Sequence, residues 1–267
     1  MMASVRTVGT LLRGWRQRRH MSQLDLAVEA EISTKHLSFV ETGRSTPSRE
    51  MLLHLAELLE VPLRERNALL LAAGYAPVFP ERPLADPALA AARAAIDLVL
   101  AGHDPFPAIT IDRYWSLVAA NAAAQRLLAG VDASLLTPPI NVLRVSLHPQ
   151  GMAPRIANLA EWRAHLLARL RRQIDITGDP ILAELMKELS AYPVPADGPV
   201  QPAHDYGGVV VPLRLRAGDA VLSLFSTTTV FGTPVDITLS ELALESFYPA
   251  DAVTADLLRQ LAAPRAA

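Results

Sequence analysis

A chain of 267 residues with net charge −2, 51% hydrophobic and 19% charged residues has the make-up of a globular protein, long enough for a small and a larger domain. It contains no cysteine, which excludes disulfides, thiolate metal sites and a cysteine nucleophile and fits a reducing interior. No run approaches the ~18 apolar residues of a membrane span, and no charged stretch followed by an apolar region opens the chain, so a soluble, cytoplasmic protein is expected.

The charge is unevenly placed. The first 50 residues hold eight Arg or Lys against five acids, although the whole chain is slightly acidic. A basic head on an acidic body suits a DNA-binding module joined to a module of another kind.

In chain order, Val8, Leu11, Leu12 and Trp15 recur at helical spacing and predict a first helix to about Arg19, crowded with arginines in its second half. Ser22 then caps a helix over Gln23 to Ala30, and Ser33 caps another that runs to about Thr42 and ends at Gly43. Only Glu31 and Ile32 separate them, so the two helices meet at a steep angle. Leu24, Ala27 and Val28 are the expected inner face of the first, Leu37 and Val40 that of the second, with Ile32 plugging the corner. Thr34, Lys35, Ser38 and Phe39 remain outside.

Ser22 to Arg44 resembles the helix-turn-helix of phage Cro/repressor (Xre-type) proteins, in which such outward positions face base edges of double-stranded DNA. The resemblance implies a phosphate contact from Gln23, an ion pair between Arg16 and Glu41 that fixes the recognition helix, and a DNA-facing surface made of Gln23, Ser33, Thr34, Lys35, Ser38, Phe39 and Arg44. Family members usually carry glycine at the turn. Here it is Glu31, and a non-glycine residue in the left-handed region costs about 1–2 kcal/mol.

Helices over Met51–Leu59 and from Leu63 to Gly74 complete an all-α domain of residues 1–75. Residues 76–88, with prolines at 77, 80 and 83, read as a semi-rigid connector. Asp86-Pro87 then opens an Ala-rich helix to about Ala101.

From Pro107 the period changes. Ile109 and Ile111 suggest one strand, Trp115 to Ala120 its hairpin partner, and Asn121 caps a short helix, the opening of a PAS-like domain. Residues 138–191 read as largely helical, with Glu161 to Ile174 the strongest segment. A strand from Val209 to Leu215 turns at Gly218-Asp219 into a long strand from Ala220 to Phe231. A last strand is expected between Ile237 and Phe247 and a closing helix near Thr254–Leu261. Residues 89–267 are thus expected to form an α+β domain with five antiparallel strands and helices on one face.

The segments RHLSFVETGR, RNALLLAAGYAP, WSLVAANAAA and FGTPVDITLSELALESFYPAD resemble MmyB-like regulators, which pair an Xre-type head with a PAS-related ligand-binding domain. That resemblance implies a bacterial transcription regulator with a lipid-like or fatty-acid-like ligand. Candidate pocket residues are Trp115, Asn121, Trp162, Phe225 and Phe231, with Arg144, His148 and His165 placed to orient an acidic headgroup. A homodimer is expected, because a single head reads a short site.

Enzyme motifs are missing: there is no GxSxG, HExxH, P-loop or GxGxxG sequence, and the seven histidines lack metal-ligand spacing, so neither metal nor cofactor is expected. Asp112, His148 and Ser223 can be assembled into a triad only on paper. A second reading stays open, in which the C-terminal domain only dimerises or docks a partner on a DNA-tethered protein.

Overall fold

The structure is a computed structural model that describes residues 7–193, 211–232, 234 and 236–263. It divides into two compact units: residues 1–82 with 234–240, and residues 83–233 with 241–267.

The N-terminal segment of the first unit folds as α1 (Val8–Arg18), α2 (Gln23–Glu29), α3 (Thr34–Glu41), α4 (Arg49–Leu58) and α5 (Leu63–Ala72). Hydroxyl caps start four of them. Thr7, Ser22, Ser33 and Ser48 each accept a backbone N–H from the first turn, and Ser22 and Asp25 exchange both bonds of a capping box. Three of the stops are unusual, because His20, Glu31 and Glu60 adopt positive φ of 54°, 55° and 48°. Glu31 therefore occupies the left-handed turn conformation expected of it.

The inner face of α2 differs from the expected one. Leu26, Ala27 and Ala30 are buried, whereas Leu24 and Val28 are 60% and 68% exposed. Both sets follow the helical period, but α2 touches α4 as well as α3, and that pair of neighbours rotates the buried stripe toward Leu26 and Ala30. α1 and α3 approach closely at Gly9 of α1. A Cβ there would lie 2.4 Å from the Val40 carbonyl oxygen and 2.5 Å from that of Glu41.

The expected connector is partly fastened down. Asn67 of α5 donates to the Phe79 carbonyl (2.7 Å) and accepts from the N–H groups of Val78 and Phe79 (3.0 and 3.1 Å), while Arg64 pairs with Glu81. Residues up to Arg82 thus follow the head, and the chain joins the second unit at Pro83.

The second unit opens with a 3₁₀ turn capped by Asp86 and α6 (Ala90–Gly102), then β1 (Ala108–Ile111), β2 (Leu117–Ala120) and α7 (Ala122–Leu127). Next come α8 (Val142–Leu147), α9 (Leu159–Thr177), α10 (Pro180–Ala191), β3 (Leu213–Ala217) and β4 (Ala220–Val230). The chain then leaves the sheet as α11 (Ile237–Ser240), which counts with the first unit, and returns as β5 (Ala243–Pro249) and α12 (Ala252–Ala262). All pairings are antiparallel, in the order β2-β1-β5-β4-β3.

Three expectations change and one falls on residues that are not described. Residues 237–240, expected as strand, are helical. Trp115 is a turn residue with φ 64° and the second strand begins at Leu117. Val209 lies outside the described residues. The sheet is also covered on both faces: Ala108, Thr110, Leu244 and Ser246 are buried opposite the side chains of Ile109, Ile111, Glu245 and Phe247, and α6 packs on β1.

The Gly9 approach gives a direct check on the head. Gly9→Ala forces α1 and α3 apart and should cost about 2 kcal/mol or more. Chemical denaturation followed by circular dichroism should show the head unfolding at lower denaturant with its slope unchanged.

Candidate functional site

In the first unit a buried ion pair holds α3. Arg16 Nε and Nη2 donate to the two carboxylate oxygens of Glu41 at 2.6 and 2.9 Å, and Arg16 Nη1 donates to the Met21 carbonyl at 2.8 Å. Gln23 Nε2 adds a third donor to Glu41 at 2.8 Å. Arg16 and Glu41 are 7% and 5% exposed, so the pair is worth having only because every charged atom is bonded. Burial alone would raise the Glu41 carboxyl, but the bonds from Arg16 and Gln23 and the charges of Arg16 and Arg13 outweigh it and hold the carboxyl below its ordinary range.

The outer face of α3 has the opposite character. Ser33, Thr34 and Lys35 are exposed and Ser38 and Phe39 half-buried. Phe39 carries two cations, the Lys35 ammonium 5.7 Å and the Arg44 guanidinium 5.8 Å from its ring centre. The Ser33 hydroxyl is occupied as the cap on His36 N–H, and the Gln23 amide is bound to Glu41. Thr34, Lys35 and Arg44 are therefore the members of the expected set that present polar ends outward. Among the other arginines, Arg19 closes α4 by donating to the Leu59 and Glu60 carbonyls at 2.9 and 3.0 Å.

In the second unit the sheet, α7, α8 and α9 line a partly open apolar cavity of about 110 Å³. Ile109, Ile111, Leu117, Leu143, Leu166 and Phe247 are among its walls, and both expected tryptophans, Trp115 and Trp162, line it. Trp162 Nε1 donates to the Ser146 hydroxyl at 3.0 Å, and Trp115 Nε1 to Gln173 Oε1 at 2.8 Å. Each indole thus shows a carbon face to the cavity and satisfies its N–H elsewhere.

The other expected pocket residues lie away from the cavity. Asn121 is a framework residue: its Oδ1 accepts from Ala108 and Ala124 N–H (both 3.0 Å) and its Nδ2 donates to the Phe106 carbonyl (2.8 Å). Arg144 is bound by Glu188 at 2.7 Å on the outside of α8. The Tyr192 hydroxyl donates to that same carboxylate at 2.5 Å, and burial followed by this bond pushes its pKa up to about 12. The His148 ring meets that of Tyr192 edge-on at 5.0 Å. His165 stacks on Trp162 at 5.4 Å, and burial followed by the charges of Arg169 and Arg172 lowers its pKa. Phe225 stacks on Tyr248 on the other face of the sheet, and Phe231 follows the end of β4.

Two charged residues of the wall were not expected. Arg169 pairs with both oxygens of Glu245, donates to Thr228 Oγ1 at 3.1 Å and lies 4.9 Å over the Trp115 ring. Thr228 Oγ1 also donates to Glu245 at 2.8 Å, so a 3%-exposed carboxylate is fully bonded. A single acid in the apolar strand run ALESFYP, at the position that alternation turns inward, was the sequence mark of this pair. No group of three or more His, Cys, Asp or Glu suited to a metal ion occurs among the described residues, and no described helix is long and apolar enough to cross a membrane.

Residues 92–261 match the family of the MmyB-like transcription regulator ligand binding domain, and residues 7–69 match a helix-turn-helix domain. The chain belongs to the MmyB-like transcription regulators: a helix-turn-helix head and a ligand-binding domain in one polypeptide. Comparison with curated proteins gives no match. Among solved structures the chain is similar to that titled "Structure of an RNA-binding Light-Oxygen-Voltage Receptor", at 14% identity and a TM-score of 0.25 over 94% of this chain. It spans 61% of the length of that protein, a likeness too low to carry argument.

The Glu41 site has a definite pH signature. A carboxyl held below its unfolded value contributes stability that is complete above the unfolded value near ~4.3 and is lost as pH falls through the folded one. Thermal melts of the full chain from pH 6 to pH 3 should show the head losing stability in that lower window. Glu41→Gln should flatten this loss while lowering the midpoint at pH 7.

Proposed function

We propose that this chain is a ligand-responsive regulator whose head reads a specific double-stranded DNA site, as a homodimer, and whose second unit senses a small lipophilic molecule of the acyl-chain kind. The supporting observation is the pairing, in one chain, of a recognition helix with an exposed polar face and an apolar cavity walled by aromatic residues.

Size narrows the ligand. The volume of about 110 Å³ is close to that of an engineered cavity of ~150 Å³ that binds benzene. A ring or a chain of about six carbons fits it, and a longer acyl chain needs its outer part elsewhere or a shift of the wall. Burying six methylenes contributes about 5 kcal/mol before the costs of association, at ~0.8 kcal/mol each. A complete switch from 1:99 to 99:1 needs ~5.5 kcal/mol of differential binding, so a ligand of this size changes operator affinity by a graded factor rather than all or none.

A route for the effect runs through covalent continuity. β5 supplies Glu245 and Phe247 to the cavity wall, and the residues just before it fasten to the connector in the first unit. There Asp236, 1% exposed, pairs with Arg82 at 3.1 Å, Ile237 N–H donates to the Pro80 carbonyl at 2.8 Å, and the Thr238 hydroxyl donates to the Arg82 carbonyl at 2.6 Å. A shift of β5 would therefore pull on residues 80–82, which hang from α5. The second reading, a scaffold that only docks or dimerises, is less favoured because a domain without a ligand gains stability by filling such a cavity.

Selection of bound sequences from a random double-stranded library should enrich one site. Thr34→Ala and Lys35→Ala should each weaken binding of that site by about fivefold or more at fixed salt, with melting temperatures nearly unchanged, because single base contacts are worth ~1–3 kcal/mol. Unaltered affinity in both variants would reject α3 as the reading surface. Native mass spectrometry of the full chain after gentle purification should show a retained lipophilic molecule, and a bare chain that also binds no alkyl probe would favour the scaffold.

A further inference from the structure

The apolar cavity has a neighbour. A solvent-open cleft lined by Arg113, Arg172, Gln173, Ile176 and Glu241, the last paired with Arg113 at 2.9 Å, shares Ile111, Trp115, Arg169 and Glu245 with the cavity. These four residues have one side toward the cavity and one toward the cleft, so they form the partition between an apolar interior and a polar exterior.

The partition is unusually built. Trp115 has φ 64°, a conformation in which a bulky residue is strained and which persists only when its surroundings impose it. Here they do so from three sides. The Asp112 carboxylate accepts the N–H groups of Tyr114 and Ser116 (both 2.8 Å), Gln173 holds the indole N–H, and the same Gln173 donates to the Arg113 carbonyl at 2.7 Å. Arg169 covers the indole and is itself neutralised by Glu245. All the other cavity walls are carbon-rich, apart from the Ser146 hydroxyl, which Trp162 occupies. The Arg169–Glu245 pair is the one charged feature of the lining, and it sits where the cavity meets the cleft.

Taking the cavity as the ligand site, as proposed above, we infer that it is loaded from this cleft through the Trp115–Arg169–Glu245 partition, and that the partition decides ligand chemistry. The molecule is an amphiphile: its apolar end passes into the cavity and its polar head stays in the cleft, against Arg169 and the Gln173 side chain. A head that carried hydrogen-bonding groups past the partition would find no partners among carbon walls, and that loss exceeds what burial of the chain returns. In the cleft the same groups keep water and gain the guanidinium edge.

The test uses two probes on the full chain, 1-hexanol and n-hexyl β-D-glucoside, which share a chain and differ in the bulk of the head. Calorimetric titration should give dissociation constants within about fivefold of each other, since a head outside the cavity is not limited by its size. Ile176→Trp, an exposed position on the cleft wall, should narrow the cleft and weaken the glucoside by about tenfold while leaving hexanol within about twofold. Gln173→Ala, which releases the indole, should raise both the association and the dissociation rate of hexanol in stopped-flow tryptophan fluorescence. Binding of hexanol without the glucoside would overturn the inference, as would glucoside binding that Ile176→Trp does not weaken. Failure of hexanol itself to bind would instead reject the cavity as a ligand site, and the loading route with it.

Discussion

Asp236 is the point on which the rest of the arrangement turns. A carboxylate that is 1% exposed is costly unless every lone pair is used, and here the residue accepts Arg82 on one oxygen and caps α11 by accepting Thr238 N–H at 2.9 Å on the other. Residues 236–238 are thereby pinned to residues 80–82, which α5 holds through Asn67 and Arg64. β5 is central in the sheet, between β1 and β4, so the pinned segment leads directly into the strand that carries Glu245 and Phe247.

The two units use buried charge differently. Arg16–Glu41 sits among the helices of the head with three donors on one carboxylate and serves to fix where α3 lies, leaving Thr34 and Lys35 on its exposed face. Arg169–Glu245 sits at the rim of a carbon-lined cavity, backed by Thr228 and an indole. In each case removal of one partner would leave an uncompensated buried ion, which costs about 3–5 kcal/mol, far more than the intact pair is worth over an apolar substitute. Such pairs specify arrangement more than they add stability.

The head was readable from the chain because its information is local. Ser22, Ser33 and Ser48 are caps, Gly43 has φ 74°, and Arg16 and Glu41 meet as the Xre-type resemblance implies. The error over Leu24 and Val28 has the same origin: period identifies a helix but does not choose between two apolar stripes when one of them includes the small Ala30. The cavity was less readable. Aromatic character in the sequence points to Trp115 and Trp162 but equally to Phe225 and Phe231, whose place depends on strand parity and on where β4 ends. Charge points to Arg144 and His148, yet Glu188 and Tyr192, more than forty positions away, occupy them. Residues 237–240 read as strand by composition, and tertiary fastening through Asp236 makes them helical instead.

Ligand control requires that the cavity and the DNA surface share one conformational balance, and the connection through Asp236 is the element that would carry it. The most direct measurement is operator affinity of the full chain with and without saturating hexyl ligand, in the natural sequence and in Asp236→Asn. The account predicts a ligand-dependent change in affinity of at least about fivefold, a coupling of roughly 1 kcal/mol, that largely disappears in Asp236→Asn while each protein still binds ligand and operator separately. Operator affinity indifferent to a bound ligand, or an Asp236→Asn protein that responds as fully as the natural one, would contradict it.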